Sequence, residues 1–511
     1  MRIKISLALI ITGLLIWCGS CRKDFEYTPS AGNLSFSKDT VYLDTVFSTI
    51  GSSTYSLKVY NTTRDDVIIP TIALKNGPNS SYRLNVDGVA GSTFQNIPLN
   101  ALDSLFIFIE TTVDLSESNI NTLLYTDAIQ FDSDINTQEV QLVTLVKDAI
   151  FLFPKTDADG ETEMISLDFD EDGNEIRVAG FELSDTQLNF TNEKPYVIYG
   201  FAVVPEEKEL RIDAGARIHF HKNAGLLIKQ GGRIQINGSL SADKALLENE
   251  VIFEGDRLEP SFSDIAGQWS GIWIAKGSTG NSISYTTIKN GIVGLFLEGA
   301  DALATPTLTI NNSQLYNNSS HNIWAQTAFI EAENLVLGSS GSSSLYCGLG
   351  GNYSFIHSTI ANYWGKGFRI NAALEINNSV AGEGADLTRA EFKNCIISGN
   401  GSTELSLTTN GENEFNFSFS NSYIKFNDIS NQFQGNPLYN FEANTSFNAI
   451  LLEGKLDFFG TNKNDFRIGL DANIINQGDP IFAAEVPLDL LGNTRTTNPD
   501  LGAYQASLKE Q

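Results

Sequence analysis

The chain has 511 residues, a formal net charge of −28 and 41% hydrophobic residues, which is enough for about two to four domains with well-buried cores. A surface this acidic repels phosphate backbones and anionic headgroups, so nucleic acid is excluded as a partner, while divalent cations, neutral glycans and basic partners remain. With only four cysteines, the fold must rest on packing and not on a disulfide framework. The chain opens with Arg2 and Lys4 ahead of an apolar run from Ile5 to Trp17. That run is too short for an ordinary bilayer-spanning helix and is flanked like a secretory signal, which predicts removal of residues 1–20.

The run ends at Cys18-Gly-Ser-Cys21. Small residues directly before Cys21 resemble a bacterial lipobox, although Cys18 stands where Leu is usual. The resemblance implies lipidation of Cys21, with a plain cleaved signal as the alternative. Arg22-Lys-Asp-Phe-Glu26 resembles the charged export tag of Bacteroidetes surface lipoproteins, which implies a cell-envelope lipoprotein held to the outer membrane through Cys21. Residues 21–32 would then be a tether.

From Asn33 to Ala149, segments such as Tyr55-Ser-Leu-Lys-Val-Tyr60, Leu105-Phe-Ile-Phe-Ile109 and Val140-Gln-Leu-Val-Thr-Leu-Val146 alternate apolar and polar residues between turn clusters. Period-two alternation predicts an antiparallel sandwich over 33–150. Its length fits an immunoglobulin-like module, and the order Tyr60-Asn-Thr62, Tyr82-Arg-Leu-Asn-Val86, Asp103-Ser-Leu-Phe-Ile-Phe108 resembles the Ig-like modules at the front of Bacteroidetes surface lipoproteins, which implies a spacer role. Residues 151–195 read as a connector with a β-hairpin. Asp168-Phe-Asp170-Glu-Asp172-Gly173 matches the first half of a calcium loop. Ala179 stands where a bidentate Glu is needed, which excludes an EF-hand. A hairpin turning at Glu171–Asn174 competes with calcium there, and the same choice applies to Asp157-Ala-Asp159-Gly160. Calcium is the one cofactor the sequence leaves open.

Over 196–435 an aliphatic–polar–aliphatic phrase returns: Ile283-Ser-Tyr-Thr-Thr-Ile288, Ile310-Asn-Asn-Ser-Gln-Leu315, Ile356-His-Ser-Thr-Ile360, Ile376-Asn-Asn-Ser-Val380, Phe392-Lys-Asn-Cys-Ile396 and Phe419-Ser-Asn-Ser-Tyr-Ile424. Recurrence at ~20–27 residues is the signature of a solenoid. Asn at one corner predicts a hydrogen-bonded ladder from coil to coil. The pattern looks like the right-handed parallel β-helix of the pectin-lyase-like superfamily. Cys347 and Cys395 fall in different coils and are expected to be buried and unpaired. In residues 436–511, Asn436-Pro-Leu-Tyr439, Asn464-Asp-Phe-Arg-Ile468, Asn473-Ile-Ile-Asn-Gln-Gly478, Asp489-Leu-Leu-Gly-Asn-Thr-Arg495 and Pro499-Asp-Leu-Gly-Ala-Tyr504 are similar to the choice-of-anchor-Q type region of bacterial β-helix proteins. That region is expected to close the open end of the solenoid. The fold class is therefore all-β: sandwich, solenoid, cap.

Candidate chemistry is sparse. Asp256, Arg257, Glu259 and Asp264, followed by Trp269 and Trp273, combine acids, a base and indoles, as a sugar site would. A loop pinned by its own ion pairs explains them equally. Tyr353, Tyr363, Trp364, Lys366 and Arg369, beside His357, form a second aromatic and basic group suited to an acidic sugar, with a coil-edge role as the alternative. His219 and His221 share one face of a strand, but no third ligand is visible. No Gly-x-Ser-x-Gly elbow, P-loop or zinc-type cysteine spacing occurs. The expectation is a monomer that binds an extracellular polymer, a glycan above all, without catalysis. A polysaccharide lyase, a glycoside hydrolase or a structural envelope protein are the alternatives.

Overall fold

The computed structural model describes residues 27–115, 121–132, 134–169, 174–300, 304–495 and 497–509. The expected signal segment, Cys21, Asp170 and Asp172 lie outside them, and Asp168 enters only as backbone of the strand Met164–Phe169. Two units divide the chain, Met1–Asp148 and Ala149–Gln511.

In the first unit the alternating segments become two sheets around one core. Tyr55–Tyr60, Ser104–Thr111 and Tyr82–Val86 pair antiparallel in one sheet. Thr122–Phe131 and Gln138–Lys147 form the long antiparallel pair of the other. Leu57, Val59, Ile107 and Ile109 from the first sheet bury against Ile69, Ile129, Phe131 and Leu142 from the second. The alternate residues Phe106 and Phe108 face outward. The sandwich is not wholly antiparallel, because Thr40–Phe47 pairs parallel with Gln138–Lys147.

The second unit is a parallel β-solenoid with three strands per coil. A first ladder runs from Asn189–Phe190 through Asn281–Ser284, Leu308–Asn311, Phe329–Glu333, Gly351–Ile356 and Leu387–Lys393 to Phe447–Leu451. A second ladder, starting at Ile150–Leu152, passes through Arg217–Phe220, Val251–Gly255, Thr286–Lys289, Gln314–Tyr316, Val336–Leu337, Thr359–Asn362 and Ile396–Gly399. A third runs from Glu175–Glu182 through Gly225–Ile228, Gly271–Ile274, Leu295–Glu298, Ile323–Gln326, Leu345–Gly348 and Leu374–Asn377 to Leu405–Thr408. The stretch expected as a connector thus supplies the first coil, and its hairpin, Met164–Phe169 with Glu175–Glu182, is present. The turn at Asp157 is also a hairpin tip, with Asp157 Oδ1 accepting from the amides of Asp159 and Glu161 at 2.9 Å each.

Like side chains stack inside. Phe355, Phe392, Phe419 and Phe447 line up with centroids 5.1, 4.9 and 5.5 Å apart. The corner between first and second ladders turns on one residue per coil in the left-handed region: Tyr285, Asn312, Asn334, His357, Asn394 and Asn421, with φ between 43 and 52°. Asn tolerates that conformation best among non-glycines. Its amide then bonds the next coil, as Asn334 does to Asn312 at 2.9 Å and Asn394 to His357 at 3.0 Å. Five of the six quoted phrases mark this corner; Ile376–Val380 instead leaves the third ladder for a small hairpin, Ser379–Val380 with Glu383–Gly384. Cys347 and Cys395 are buried and free.

Closure follows the expectation only for the first C-terminal phrase, Asn436-Pro-Leu-Tyr439. Phe426, Phe433, Tyr439 and Phe441 plug the end of the core, and the Tyr439 hydroxyl occupies both the amide (2.6 Å) and the carbonyl (3.2 Å) of Leu407 on the last strand of the third ladder. The distinctive phrases after residue 455 lie instead along the outer side of the second ladder. There Phe466, Leu490, Ala503 and Tyr504 cover Val336 and Ala361, and Ile468, Ile474 and Leu501 cover Ile396.

Candidate functional site

The third ladder repeats one short phrase that alternates inward aliphatic and outward aromatic residues. In Gly271-Ile-Trp-Ile, Gly294-Leu-Phe-Leu, Asn322-Ile-Trp-Ala and Ser344-Leu-Tyr-Cys, the flanking residues Ile272, Ile274, Leu295, Leu297, Ile323, Ala325, Leu345 and Cys347 are at most 1% exposed. The central residues point out, because successive strand side chains take opposite faces. Parallel register then places Trp273 beside Phe296, Phe296 beside Trp324 and Trp324 beside Tyr346. These four half-buried rings meet edge to face, with centroids 5.1, 5.4 and 6.1 Å apart. At ~4.8 Å per coil the row spans ~14 Å along the solenoid axis.

Beside the row lies an apolar cavity of about 300 Å³ lined by Phe201, Trp273, Val293, Phe296 and Trp324. At the N-terminal end, Ile165, Leu167 and Val178 of the hairpin pack over Phe201, Val203 and Leu227 and reach Trp273. The polar border is specific. Trp273 donates its indole N–H to Glu298 Oε2 at 2.7 Å, Asn377 donates to the Tyr346 hydroxyl at 3.0 Å, and Ser343 donates to Glu375 at 2.8 Å. His321 sits 5.0 Å from Trp324 and 5.8 Å from Tyr346, and burial pushes its pKa down to about 4. Among the described residues the Trp324 Nε1 is buried without an acceptor, an uncompensated cost that positions selected only for folding tend to shed.

Of the residues singled out from sequence, Trp273 belongs to this row. Trp269 does not: it is fully buried, stacked on Phe220 at 4.3 Å, with its N–H on the Lys289 carbonyl at 2.9 Å. Tyr353 is fully buried, with its hydroxyl on Gly350 O at 3.0 Å, and Trp364 is 8% exposed. None of the three offers a ring to a ligand, so their expected contact role is corrected to packing. Arg369 and Glu404 form a buried ion pair at 2.7 Å, which latches the loop after Thr359–Asn362 to the next coil. Tyr363 bonds Ser398 at 3.0 Å under the C-terminal region. Lys366 joins the two predicted groups, reaching Asp264 at 3.1 Å and Asn317 at 2.7 Å. The acids of the 256–264 loop are held locally. Asp256 meets His221 at 2.7 Å. Arg257 holds Glu259 at 2.8 Å and lies 3.9 Å over the Phe262 ring.

A second polar row lies outside the second ladder. Register aligns His219, Glu254, Lys289 and Tyr316, with Glu254 3.7 Å from His219 and 2.9 Å from Lys289. Burial raises the Glu254 pKa, but His219 and Lys289 outweigh it and hold the carboxyl below its usual range. Four residues earlier, burial lifts Glu250 to about 7 against the opposing pull of Arg217. His219 and His221 thus face separate carboxylates, and no group of three or more metal-ligating side chains converges among the described residues.

Neither a family model nor a curated protein matches the chain. Several solved structures resemble parts of it, three of them as follows. The ASH / PapD-like domain of human CEP192 aligns at a TM-score of 0.16 and 9% identity, over 25% of this chain and 92% of that one. A family 123 glycoside hydrolase from Clostridium perfringens aligns at 0.16 and 9%, over 24% and 31%. The periplasmic chaperone SfaE aligns at 0.15 and 10%, over 22% and 57%. Likenesses this slight carry no argument.

Proposed function

We propose that the protein is a cell-envelope lipoprotein anchored at Cys21, in which an immunoglobulin-like module spaces a right-handed parallel β-helix that binds a glycan. The observation that carries this is the row Trp273, Phe296, Trp324 and Tyr346, a contiguous aromatic strip on the outside of a solenoid. Soluble proteins seldom leave such strips without a ligand, and solenoid faces suit long polymers. These half-buried rings offer their exposed apolar edges and faces to the CH-rich faces of pyranoses, while Glu298, Asn377 and Glu375 border them with hydrogen-bonding groups. The sequence around Cys21 supports the anchor. Affinity electrophoresis against plant, algal and host polysaccharides is the test. Retardation by at least one polymer is expected, with a loss of at least ~10-fold in affinity for Trp273→Ala and Trp324→Ala, the usual weight of an aromatic anchor. Silence across the whole panel would remove the proposal.

One observation favours a second reading, a polysaccharide-cleaving enzyme. Glu250, buried in the bend that leads into Val251–Gly255, and Glu254, on that strand, have proton affinities driven apart, the pattern that separates a general acid from a base or nucleophile. Incubation of the polymers that bind should then release reducing ends, and Glu250→Gln should lower the rate by at least ~100-fold. Absence of any product with the native chain would dismiss cleavage.

A further inference from the structure

The ladder and its border go beyond naming a glycan: they select its charge. None of the strands Gly271–Ile274, Leu295–Glu298, Ile323–Gln326, Leu345–Gly348 and Leu374–Asn377 carries Lys or Arg. The carboxylates on those strands are Glu298 beside Phe296 and Glu375, which follows Tyr346 in register. Three cations of these coils are committed elsewhere. Lys229 is held by Glu182 at 2.6 Å, Arg369 is sealed against Glu404, and Lys366 is tied to Asp264 and Asn317; Lys276 lies beyond the strand, in the exposed turn after Ile274. His321, the one basic group against the rings, stands against Trp324 and Tyr346 as a neutral imidazole at physiological pH. The cavity next to the rings is walled by Phe201, Val293 and the aromatic row, so a carboxylate or sulfate placed there would lose water without gaining a cation.

Building on glycan binding by the ladder, we infer that the ligand is an uncharged polysaccharide lying along the solenoid axis, and that Glu298 and Glu375 exclude polyuronates and sulfated glycans. Exclusion follows from two like charges at the edges of a low-dielectric strip on a chain of net charge −28, where repulsion is poorly screened. Both carboxylates also act as acceptors, Glu298 from Trp273 and Glu375 from Ser343. An amide can keep the acceptor while removing the charge.

The experiment is calorimetric titration of the full chain with matched pairs of oligosaccharides: neutral glucan, mannan and galactan oligomers and the same oligomers oxidised to uronates at C6. Native protein should bind a neutral member at least ~10-fold tighter than its uronate partner, and the E298Q/E375Q double variant should narrow that ratio to ~3-fold or less. Trp324→Ala, checked for native fold by its melting transition, should abolish both. Preference for the uronate members with loss in Trp324→Ala would overturn the inference and leave the ladder as the binding site. Binding that survives Trp273→Ala and Trp324→Ala, or no binding at all, would overturn the ladder itself and the inference with it. An unchanged ratio in the double variant would overturn the assignment of exclusion to Glu298 and Glu375.

Discussion

At the scale of single residues, chemical type was a poor guide to location. Trp269 and Trp273 are four apart in one aromatic stretch, yet one is core and the other faces out, because Trp269 precedes the strand Gly271–Ile274 and turns into the core, while strand parity sends only Trp273 outward. Tyr353 fell inside by its parity in Gly351–Ile356, Trp364 by packing in the loop after Thr359–Asn362, and their companions Lys366 and Arg369 were consumed by Asp264 and Glu404. Buried histidines give this scale its own prediction. His321 titrates near 4 in the fold, and His357, enclosed by burial and further opposed by Arg495, near 2. Both lie below the ordinary value of about 6.5. A folded-state pKa below the unfolded one means that acid favours the unfolded chain. The stability that neutral His321 contributes is whole above about pH 6.5 and is lost as pH falls toward 4, about 3 kcal/mol in all. Glu250, raised to about 7, has the opposite sign: its contribution is whole below about 4.3 and fades as pH rises through 7. Thermal melts at pH 7.5 and 4.5 should therefore show a smaller acid-induced drop in Tm for His321→Gln than for the native chain. An equal drop in both would show that His321 is not buried as described.

At the scale of elements, the second ladder changes character along the chain, and its cover changes with it. Its outward positions include His219, Glu254, Lys289 and Tyr316 in the early coils and, in the later ones, Ala361 and Ser398 in one register line and Val336, Thr359 and Ile396 in the neighbouring line. The later, apolar positions are those over which Phe466, Ile468, Leu501 and Tyr504 fold. Arg495 rivets this cover to the corner, donating to Asn334 at 2.6 Å. The C-terminal region is therefore a side wall and cannot be removed like a terminal cap. A chain stopped at residue 454 should expose Val336, Ala361 and Ile396 together with the apolar rim around them, bind a hydrophobic dye and aggregate. A soluble, dye-silent truncated protein would contradict this. The sequence made the solenoid legible because its corner phrase repeats as aliphatic, Asn or Ser, aliphatic, and the αL corner rewards Asn. It hid the side wall, since Val336 or Ile396 facing outward reads the same as an aliphatic facing in. The aromatic row was legible in principle as the recurring aliphatic–aromatic–aliphatic triplet of the third strand. Its period is uneven, 23, 28 and 22 residues between Trp273, Phe296, Trp324 and Tyr346, which hides the triplet from a search for a fixed repeat.

At the scale of the whole molecule, the two units carry separate cores. Leu57, Ile107, Ile129 and Leu142 close the first on itself. The interior of the second runs without a break from Leu152 to Phe447. Every ring of the candidate site and every group on its border belongs to the second unit, so the first is not needed to build the site. If the first unit is a spacer, removing it should change where the solenoid sits and not what it binds. The chain 149–511 expressed alone should melt in one cooperative transition and bind the same polymers within ~2-fold of the full protein, since distant independent parts add within ~0.3–0.5 kcal/mol. Residues 27–148 alone should fold, show strand-type circular dichroism and bind none of those polymers. A loss of tenfold or more on removing the first unit would mean that it contributes to the ligand site, and the exposed Phe106 and Phe108, 48% and 45% accessible and stacked at 6.3 Å, would then be the first side chains to replace with Ala.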